Sequence, residues 1–223
     1  MKTYHLILAA IAMCLVSGCV TFKPSMLRVE NDPIPEKLHK LAVITPSTQV
    51  GNVRTIKSQN YDFTLFQREL ETNLMDRTPG KNYGTIEMVF ISQQQKAGVG
   101  FIIPSSITCF TINILGFPIS RPKITNEYEF RIYDINNNEI AKYNYYAEAK
   151  SAIGLYYGKS PDVLTIEVVK QVLADFKNDL ERDAASINRQ LELAMNPGAV
   201  PVGDGSRERR IIGQDKNINQ NIR

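Results

Sequence analysis

Few side chains in this chain could carry out nucleophilic or acid–base chemistry. Of its two histidines only His39 lies beyond the apolar N-terminal stretch, and a Ser-His-Asp arrangement would need it together with an orienting acid. Its neighbours Leu38 and Lys40 supply no such acid. Histidine and cysteine are too scarce for a zinc site, and the sequence contains no acidic calcium-binding loop. The sequence therefore predicts no metal, no cofactor and no histidine-dependent catalysis.

Carboxylate pairs are the remaining candidates for catalysis, as in glycosidases that use one acid and one base. Glu127, Glu129 and Arg131 share the predicted polar side of a strand, where solvated charges are typical. Gly98 and Gly100 are not followed by a Gly-Lys pair, so they do not form a phosphate-binding loop. We therefore expect a protein without catalytic function, with a cell-envelope hydrolase that uses acidic residues as the alternative.

Tyrosines cluster in and just after a predicted hairpin. Aromatic side chains on strands can form a platform for a sugar or a peptide, or they can pack across neighbouring strands. We favour packing. The side chains concerned are Tyr133, Tyr143, Tyr145, Tyr146, Tyr156 and Tyr157.

The N-terminal stretch has the features of an export signal. Lys2 precedes an apolar segment at residues 6–16 that is too short to span a bilayer. The stretch ends in Val16-Ser17-Gly18-Cys19, which resembles the lipobox of bacterial lipoproteins. The resemblance implies that residues 1–18 are a signal peptide and that Cys19 becomes an acylated N-terminus, with palmitate among its lipids. The alternative is an ordinary secretory signal that ends near a cysteine.

The lipobox resemblance also implies a location and a partner. Two or three acyl chains hold a protein firmly to a bilayer, since each buried methylene contributes about 0.8 kcal/mol. No acidic residue follows Cys19 directly, and in such lipoproteins this implies the outer membrane. The absence of an acidic export run implies its periplasmic face. We thus expect the membrane to be a partner through the N-terminal lipid. A formal net charge of +3 gives no electrostatic reason to expect nucleic acid binding.

Cysteine usage agrees with export. Cys14 would leave with the signal peptide and Cys19 would carry lipid, so that Cys109 would be the remaining thiol. One thiol cannot form an intramolecular disulfide. We expect Cys109 to be a small buried apolar group, with an intermolecular disulfide as the alternative.

Hydrophobic periodicity predicts the elements that would position these residues. A short strand is expected at residues 40–46, a helix at 63–74 and a second strand at 85–92. Residues 124–133 and 140–149 are predicted to form a hairpin around an Asn-rich turn. A long helix should begin after Ser160, with Pro161 at its first position, and end near residue 195. At ~50 Å it would outreach a small sheet, so we expect its second half to bend, project or pack on another chain.

These elements predict one α/β (α+β) domain at residues 40–195: a small mixed or antiparallel sheet packed against two helices, the C-terminal one long. Residues 19–39 are polar and contain three prolines, so we expect a tether between the lipid and the domain. Residues 196–223 are rich in Gly, Pro, Asn and Gln, and we expect a disordered tail.

The most unusual stretch is residues 97–120, which carry no charge between Lys96 and Arg121. Pro104 and Pro118 would break a membrane-spanning helix, and the strand alternation is too weak for a barrel hairpin. We favour an excursion from the sheet that is buried or covered by a partner; the alternatives are a loop on the membrane surface and a true insertion. The candidate contact residues are Phe101, Ile102, Ile103, Phe110, Ile112, Ile114, Leu115 and Phe117.

The order of lipobox, tether, strand-helix-strand, excursion, hairpin and long helix is similar to that of uncharacterised outer-membrane lipoproteins of Bacteroidetes-type bacteria. It resembles more loosely the periplasmic domains of curli-secretion-type lipoproteins. Since residues 97–120 need a cover and no catalytic set is evident, we expect a binding, scaffolding or assembly role through an apolar surface, with a protein partner or a second copy of the chain. A pore or secretion subunit is a further alternative.

Overall fold

A computed structural model describes residues 20–44, 61–108 and 111–196. The predicted signal peptide, the lipid-bearing Cys19, the thiol Cys109 and the contact residue Phe110 lie outside the described residues. The predicted tail lies outside them too, except for Asn196.

The described residues form four strands and four α-helices. The strands are β1 (Leu41–Ile44), β2 (Gly84–Lys96), β3 (Lys123–Asp134) and β4 (Glu139–Lys150). The helices are α1 (Tyr61–Glu69), α2 (Ile102–Ile107), α3 (Thr111–Ile114) and α4 (Pro161–Met195). Two 3-10 turns, Pro24–Leu27 and Val99–Phe101, and a π-helical segment, Leu70–Leu74, complete the described secondary structure.

The strands form one mixed sheet in the order β1-β2-β3-β4. β1 runs parallel to β2, with Leu41 opposite Gly84, and a parallel pair needs a crossover connection, which contains α1. Gly84, where β2 begins, lies so close to the end of β3 that a β carbon on it would be 2.0 Å from the carbonyl oxygen of Tyr133. Because β2 begins where β3 ends, these two strands are antiparallel. The predicted α+β class with a mixed sheet is confirmed.

The β3–β4 hairpin is confirmed, together with the chemistry of its turn. The Asp134 carboxylate accepts hydrogen bonds from the backbone N–H groups of Asn136 and Asn138, both at 2.8 Å. Asn137 takes the left-handed conformation, with φ of 63°, which asparagine tolerates better than most residues. Burial of Asp134 disfavours its charged form, but the donors on Asn138 and Asn136 outweigh this effect and lower its pKa.

The chain forms two compact units, where the sequence predicts a single domain at residues 40–195. Unit 1 consists of Met1–Arg28, Ser92–Asn126 and Ala147–Gln171. Unit 2 consists of Val29–Ile91, Glu127–Tyr146 and Val172–Arg223. Strands β2, β3 and β4 and helix α4 contribute residues to both units.

The core of unit 2 is built around Phe130 of β3. Its ring stacks on Phe176 of α4 at 4.3 Å between centroids and meets Phe66 of α1 at 5.4 Å. Both helices therefore cover the same face of the sheet, as predicted. Large apolar burial of this kind is the main favourable term in folding. The surrounding buried side chains include Leu65, Leu70, Leu74, Ile86, Met88, Tyr128, Ile132 and Leu180.

Two tyrosines of unit 2 tie the sheet to helix α4. Tyr143 and Tyr145 of β4 donate hydrogen bonds to Asp183 and Asp179 of α4, at 2.9 and 2.8 Å. Burial, together with the neighbouring carboxylate, raises the pKa of both phenols, so they stay protonated as donors. Their rings also pack in the aromatic core around Phe176. For these two tyrosines the packing interpretation is confirmed.

Residues 29–39 are not the free tether that their composition suggests. Ile34 and Leu38 are buried in unit 2. The buried Asn188 side chain of α4 accepts from the backbone N–H of His39 at 2.8 Å and donates to the carbonyl of Lys37 at 2.9 Å. The Asn73 side chain bonds the same segment, accepting from the Asp32 N–H and donating to the Glu30 carbonyl. Asn188 and Asn73 thus supply hydrogen bonds that a neighbouring strand would otherwise give. Such pairing leaves no periodicity in the sequence.

The second half of α4 has one face that is buried along its length within unit 2. Phe176, Leu180, Ala184, Ile187 and Leu191 are all at most 1% exposed. The expectation that this half projects is therefore wrong, because segment 29–39 contributes to its cover. A bend or packing on another chain stays a prediction. The predicted helix start is confirmed, since Ser160 Oγ accepts from the backbone N–H of Val163 at 3.4 Å.

Candidate functional site

The uncharged residues 97–120 form an excursion of unit 1 that is closed at its base. Arg121 donates its backbone N–H to the Gly98 carbonyl at 3.1 Å, and its guanidinium lies over the ring of Phe101, 4.6 Å from the centroid. Gly98 has φ of 62°, and a β carbon on it would lie 2.0 Å from the Arg121 carbonyl oxygen. Only glycine fits both the conformation and the space. The excursion thus begins and ends at one point beside the sheet.

Two polar side chains of the excursion turn inward. Ser105 and Asn113 are fully buried, whereas Ser106 and Thr111 are exposed. The Ser105 hydroxyl donates to the Phe101 carbonyl at 2.7 Å, and the Asn113 amide donates to the Phe117 carbonyl at 3.1 Å. Thr108 bonds the carbonyl of Pro104 in the same way. These side chains therefore bond to backbone carbonyls within the excursion itself.

Apolar side chains of the excursion turn outward. Leu115 is 87% exposed, Ile107 77% and Ile103 67%. In a soluble surface element the pattern is the reverse, with apolar groups inside and polar groups outside. A cluster of exposed apolar residues within one short segment marks an interaction site. The other strongly exposed members are Val99, Ile102, Ile114 and Phe117.

The predicted contact residues are distributed unevenly over this surface. Ile102, Ile103, Ile114, Leu115 and Phe117 are exposed, whereas Phe101 and Ile112 are half-buried. Burial within the chain, one form of the favoured interpretation, is therefore wrong for the exposed five, while cover by a partner or a membrane stays a prediction.

Two exposed apolar residues, Val99 and Ile107, are missing from the predicted contact set. Ile107 follows Ile103 by four positions, so both fall on the same side of a helix. That spacing could have indicated it. No comparable signal pointed to Val99, which lies in a 3-10 turn.

One loop of unit 1, residues 151–160, holds the excursion in place. Ile153 accepts the backbone N–H of Ile119 at 2.7 Å and donates its own to the Ser120 carbonyl at 2.9 Å. The Tyr157 hydroxyl donates to the carbonyl of Gly116 at 2.9 Å. Sequence reasoning did not find this loop, because the contacts join residues that are far apart in the chain.

The same loop holds the start of the described chain. Val20 donates its backbone N–H to Gly158 at 2.8 Å and accepts from Ser160 at 3.1 Å. Residues 20–28 are therefore not a free tether, and Leu27 at the end of a 3-10 turn is buried. The residue before Val20 is Cys19, the predicted site of lipid attachment. Unit 1 thus contains both the apolar excursion and Val20, the residue next to the predicted lipid-bearing Cys19.

The two units carry opposite net charge. The described residues of unit 1 include eight lysines and arginines and three acidic residues, whereas those of unit 2 include ten basic and seventeen acidic residues. The charged residues of unit 1 are Lys23, Arg28, Lys96, Arg121, Lys123, Lys150, Lys159 and Lys170 against Glu148, Asp162 and Glu167. The basic unit is the one that bears the excursion.

His39 has a partner but no catalytic setting. Its Nε2 lies 2.9 Å from Glu192 Oε1, and its ring stacks on Tyr83 with 4.5 Å between centroids. These contacts join the segment at residues 37–39 to α4, and no described contact brings a nucleophile to the ring. Within residues 20–44, 61–108 and 111–196, no three His, Cys, Asp or Glu side chains are grouped as a metal site would need.

Glu129 is buried, whereas its predicted place on a polar strand face suggested a solvated charge. Lys142 Nζ lies 2.6 Å from its Oε2, and Arg131 binds Oε1. Burial disfavours the charged carboxyl, but these two cations outweigh it and lower its pKa. A carboxyl held ionised in this way cannot serve as a general acid near neutral pH, which removes one candidate for the hydrolase alternative.

Comparisons with known proteins identify no family. No protein-family model matches the chain, and no curated protein matches it. Among solved structures it is similar to the crystal structure of a minor lipoprotein from Acinetobacter baumannii, with 8% sequence identity and a TM-score of 0.34. The match covers 68% of this chain and 95% of that chain. Likeness at this level supports no assignment of function.

No helix within residues 20–44, 61–108 and 111–196 combines the length and apolarity needed to cross a bilayer.

Proposed function

We propose that this protein is a lipid-anchored component of the bacterial cell envelope with a binding, scaffolding or assembly role and no catalytic function. The observation that carries the role is the inverted polarity of the excursion. The Ser105 and Asn113 side chains are buried, while Ile103, Ile107 and Leu115 are exposed. An apolar cluster of this kind needs a cover, and supplying that cover is the function that the geometry supports best.

Anchoring at Cys19 rests on the lipobox resemblance and is supported by the structure around Val20. A lipidated residue directly before a chain that is hydrogen-bonded to unit 1 would hold that unit, and the excursion with it, at the membrane. The outer membrane and its periplasmic face are the location that we propose, because no acidic residue follows Cys19 directly.

Incorporation of labelled palmitate tests the anchor. In cells we expect the wild-type chain to take up the label and the Cys19→Ser variant to lose it completely. Cys109→Ser is the matched control, because it removes the other cysteine that remains after export, and it should keep the label. Label on the Cys19→Ser variant, or none on the wild type, would contradict lipidation at Cys19.

Photocrosslinking in native membranes tests the role of the excursion. A photoreactive residue replaces Ile107, and a control replaces Arg189, which is exposed on α4 in unit 2. We expect adducts with lipid or protein from position 107 and none from position 189. The proposed function fails if position 107 gives no adduct in cells that contain the lipidated protein.

A further inference from the structure

We propose that the excursion and the basic residues of unit 1 form a surface that lies against an anionic phospholipid bilayer. The bilayer would be the one that holds the N-terminal acyl chains, so the inference rests on the proposed lipid anchor and specifies what covers the apolar surface. Three independent features of unit 1 lead to this assignment.

The first feature is the short distance between the lipid and the folded unit. Consecutive Cα atoms are about 3.8 Å apart, and Val20, the neighbour of Cys19, is hydrogen-bonded to Gly158 and Ser160. A free tether of some twenty residues would have allowed on the order of 65 Å of separation. Without that slack, acyl chains on Cys19 place unit 1 directly at the bilayer surface.

The second feature is the hydrogen bonding of the excursion. In an apolar medium every backbone polar group needs a partner inside the protein. Hydroxyls of Ser105, Ser106, Thr108 and Thr111 all donate to carbonyls three or four residues earlier in the excursion. The hydroxyls of Ser106 and Thr111, which are exposed beside the isoleucine side chains, thus have partners inside the excursion.

The third feature is charge. Anionic phospholipids attract lysine and arginine that lie close to the bilayer surface. Unit 1 carries a large excess of these residues, and two of them, Lys96 and Arg121, flank the excursion. Long basic side chains can place their stems along apolar surface and keep their charge at the headgroups. Arg121, which directly follows the excursion and has its guanidinium over the Phe101 ring, is positioned to bind headgroups in this way.

The same features argue against other occupants. Helices α2 and α3 contain six and four residues, whereas a span needs about 20, so the contact is interfacial. A second copy of the chain would bring like charges together if it used the same surface, which disfavours association. A protein partner is not selected by any feature of the excursion and is therefore an outcome that the experiment must be able to reveal.

Tryptophan fluorescence gives a direct test, because the chain contains no tryptophan. The described structure lies within residues 20–196, so the mature chain, residues 19–223, carrying Cys19→Ser, keeps all of it and cannot be acylated. In this background Leu115→Trp reports on the excursion. The matched control is Tyr146→Trp, which is exposed to a similar degree in unit 2, at 63% against 87%.

On vesicles of phosphatidylglycerol and phosphatidylethanolamine, we expect the Leu115→Trp emission to shift to the blue and to be quenched by brominated acyl chains. The Tyr146→Trp emission should not change, and salt at about 0.5 M or vesicles of phosphatidylcholine alone should reduce binding several-fold. An unchanged Leu115→Trp emission, or equal shifts at both positions, would overturn the proposal. A shift that depends on protein concentration without vesicles would do the same in favour of self-association.

Binding of a charged variant completes the test. Leu115→Asp should weaken vesicle binding by about tenfold or more, because a leucine that the bilayer would bury is exchanged for a charge. Ile135→Asp, an exposed apolar position in unit 2, should change binding less than twofold, and equal loss in both variants would contradict a specific surface. Since no lipid is attached in these proteins, a negative result leaves the palmitate experiment intact. A protein adduct alone from position 107 would keep the proposed function and overturn the bilayer contact.

Discussion

At the scale of single residues, charge burial in unit 2 shows how neighbours decide what a side chain does. Glu129 is 6% exposed and is held by Lys142 and Arg131. Its strand alternation predicts the side of the sheet, but the long side chains of these two residues cover it. The same carboxylate that could have been read as catalytic is a structural anion.

We expect Glu129→Gln to lower the free energy of unfolding by about 2 kcal/mol at neutral pH, the usual size for hydrogen bonds to charged groups. The folded-state pKa of Glu129 is lowered, so its contribution is present above the ordinary value of 4.5 and is lost as the pH falls through the folded-state value. Urea unfolding at neutral and acidic pH measures the difference.

The matched control for this change is Glu139→Gln. Glu139 is exposed at the start of β4, and its replacement should change stability by less than about 0.5 kcal/mol at either pH. A difference between wild type and Glu129→Gln that does not shrink in acid would contradict the proposed ion pairs.

At the scale of elements, the excursion depends on how its two ends meet. Strand β2 ends at Lys96 and β3 begins at Lys123. Just inside these ends, Gly98 and Arg121 are joined by a backbone hydrogen bond. Pro118 lies beyond α3, as expected of a residue that breaks a helix, whereas Pro104 lies in the first turn of α2, where proline is tolerated. However, the closure at the base depends on a contact across more than twenty residues.

Gly98→Ala should open this base and destabilise the protein by at least about 2 kcal/mol, because alanine at φ of 62° meets the Arg121 carbonyl at 2.0 Å. Amide hydrogen exchange should become faster through residues 99–121. Gly100→Ala is the matched control, since a β carbon there meets nothing within 4 Å. Equal protection of the excursion in both variants would show that the Gly98–Arg121 contact does not close it.

At the scale of the whole molecule, charge is divided between the two units although the formal net charge is only +3. Unit 1 is basic and unit 2 is acidic, and both are assembled from three separate stretches of the chain. The average over the sequence therefore conceals the polarity of the molecule. The salt dependence expected for vesicle binding is a property of unit 1, which the net charge of the chain would not predict.

The sequence predicts the strands, the hairpin turn and the long helix well, because these depend on local periodicity and on caps such as Ser160. It predicts less well where contacts are distant in sequence. In the sequence, residues 20–39 look like a tether because their hydrogen-bond partners are distant in the chain. These partners are Asn73, Asn188 and the loop at residues 151–160. No local pattern reveals such partners.

For the candidate site, composition alone determined that residues 97–120 are uncharged and need a cover, because apolar side chains have no other favourable environment. Only the tertiary structure decided which way they face. Ser105 and Asn113 turn inward and donate hydrogen bonds to backbone carbonyls of the excursion, while the apolar side chains point outward. The loop at residues 151–160 is hydrogen-bonded both to the excursion and to Val20. The apolar surface therefore lies on the same unit as the residue next to Cys19. Both outcomes depend on which groups find hydrogen-bond partners after the chain has folded.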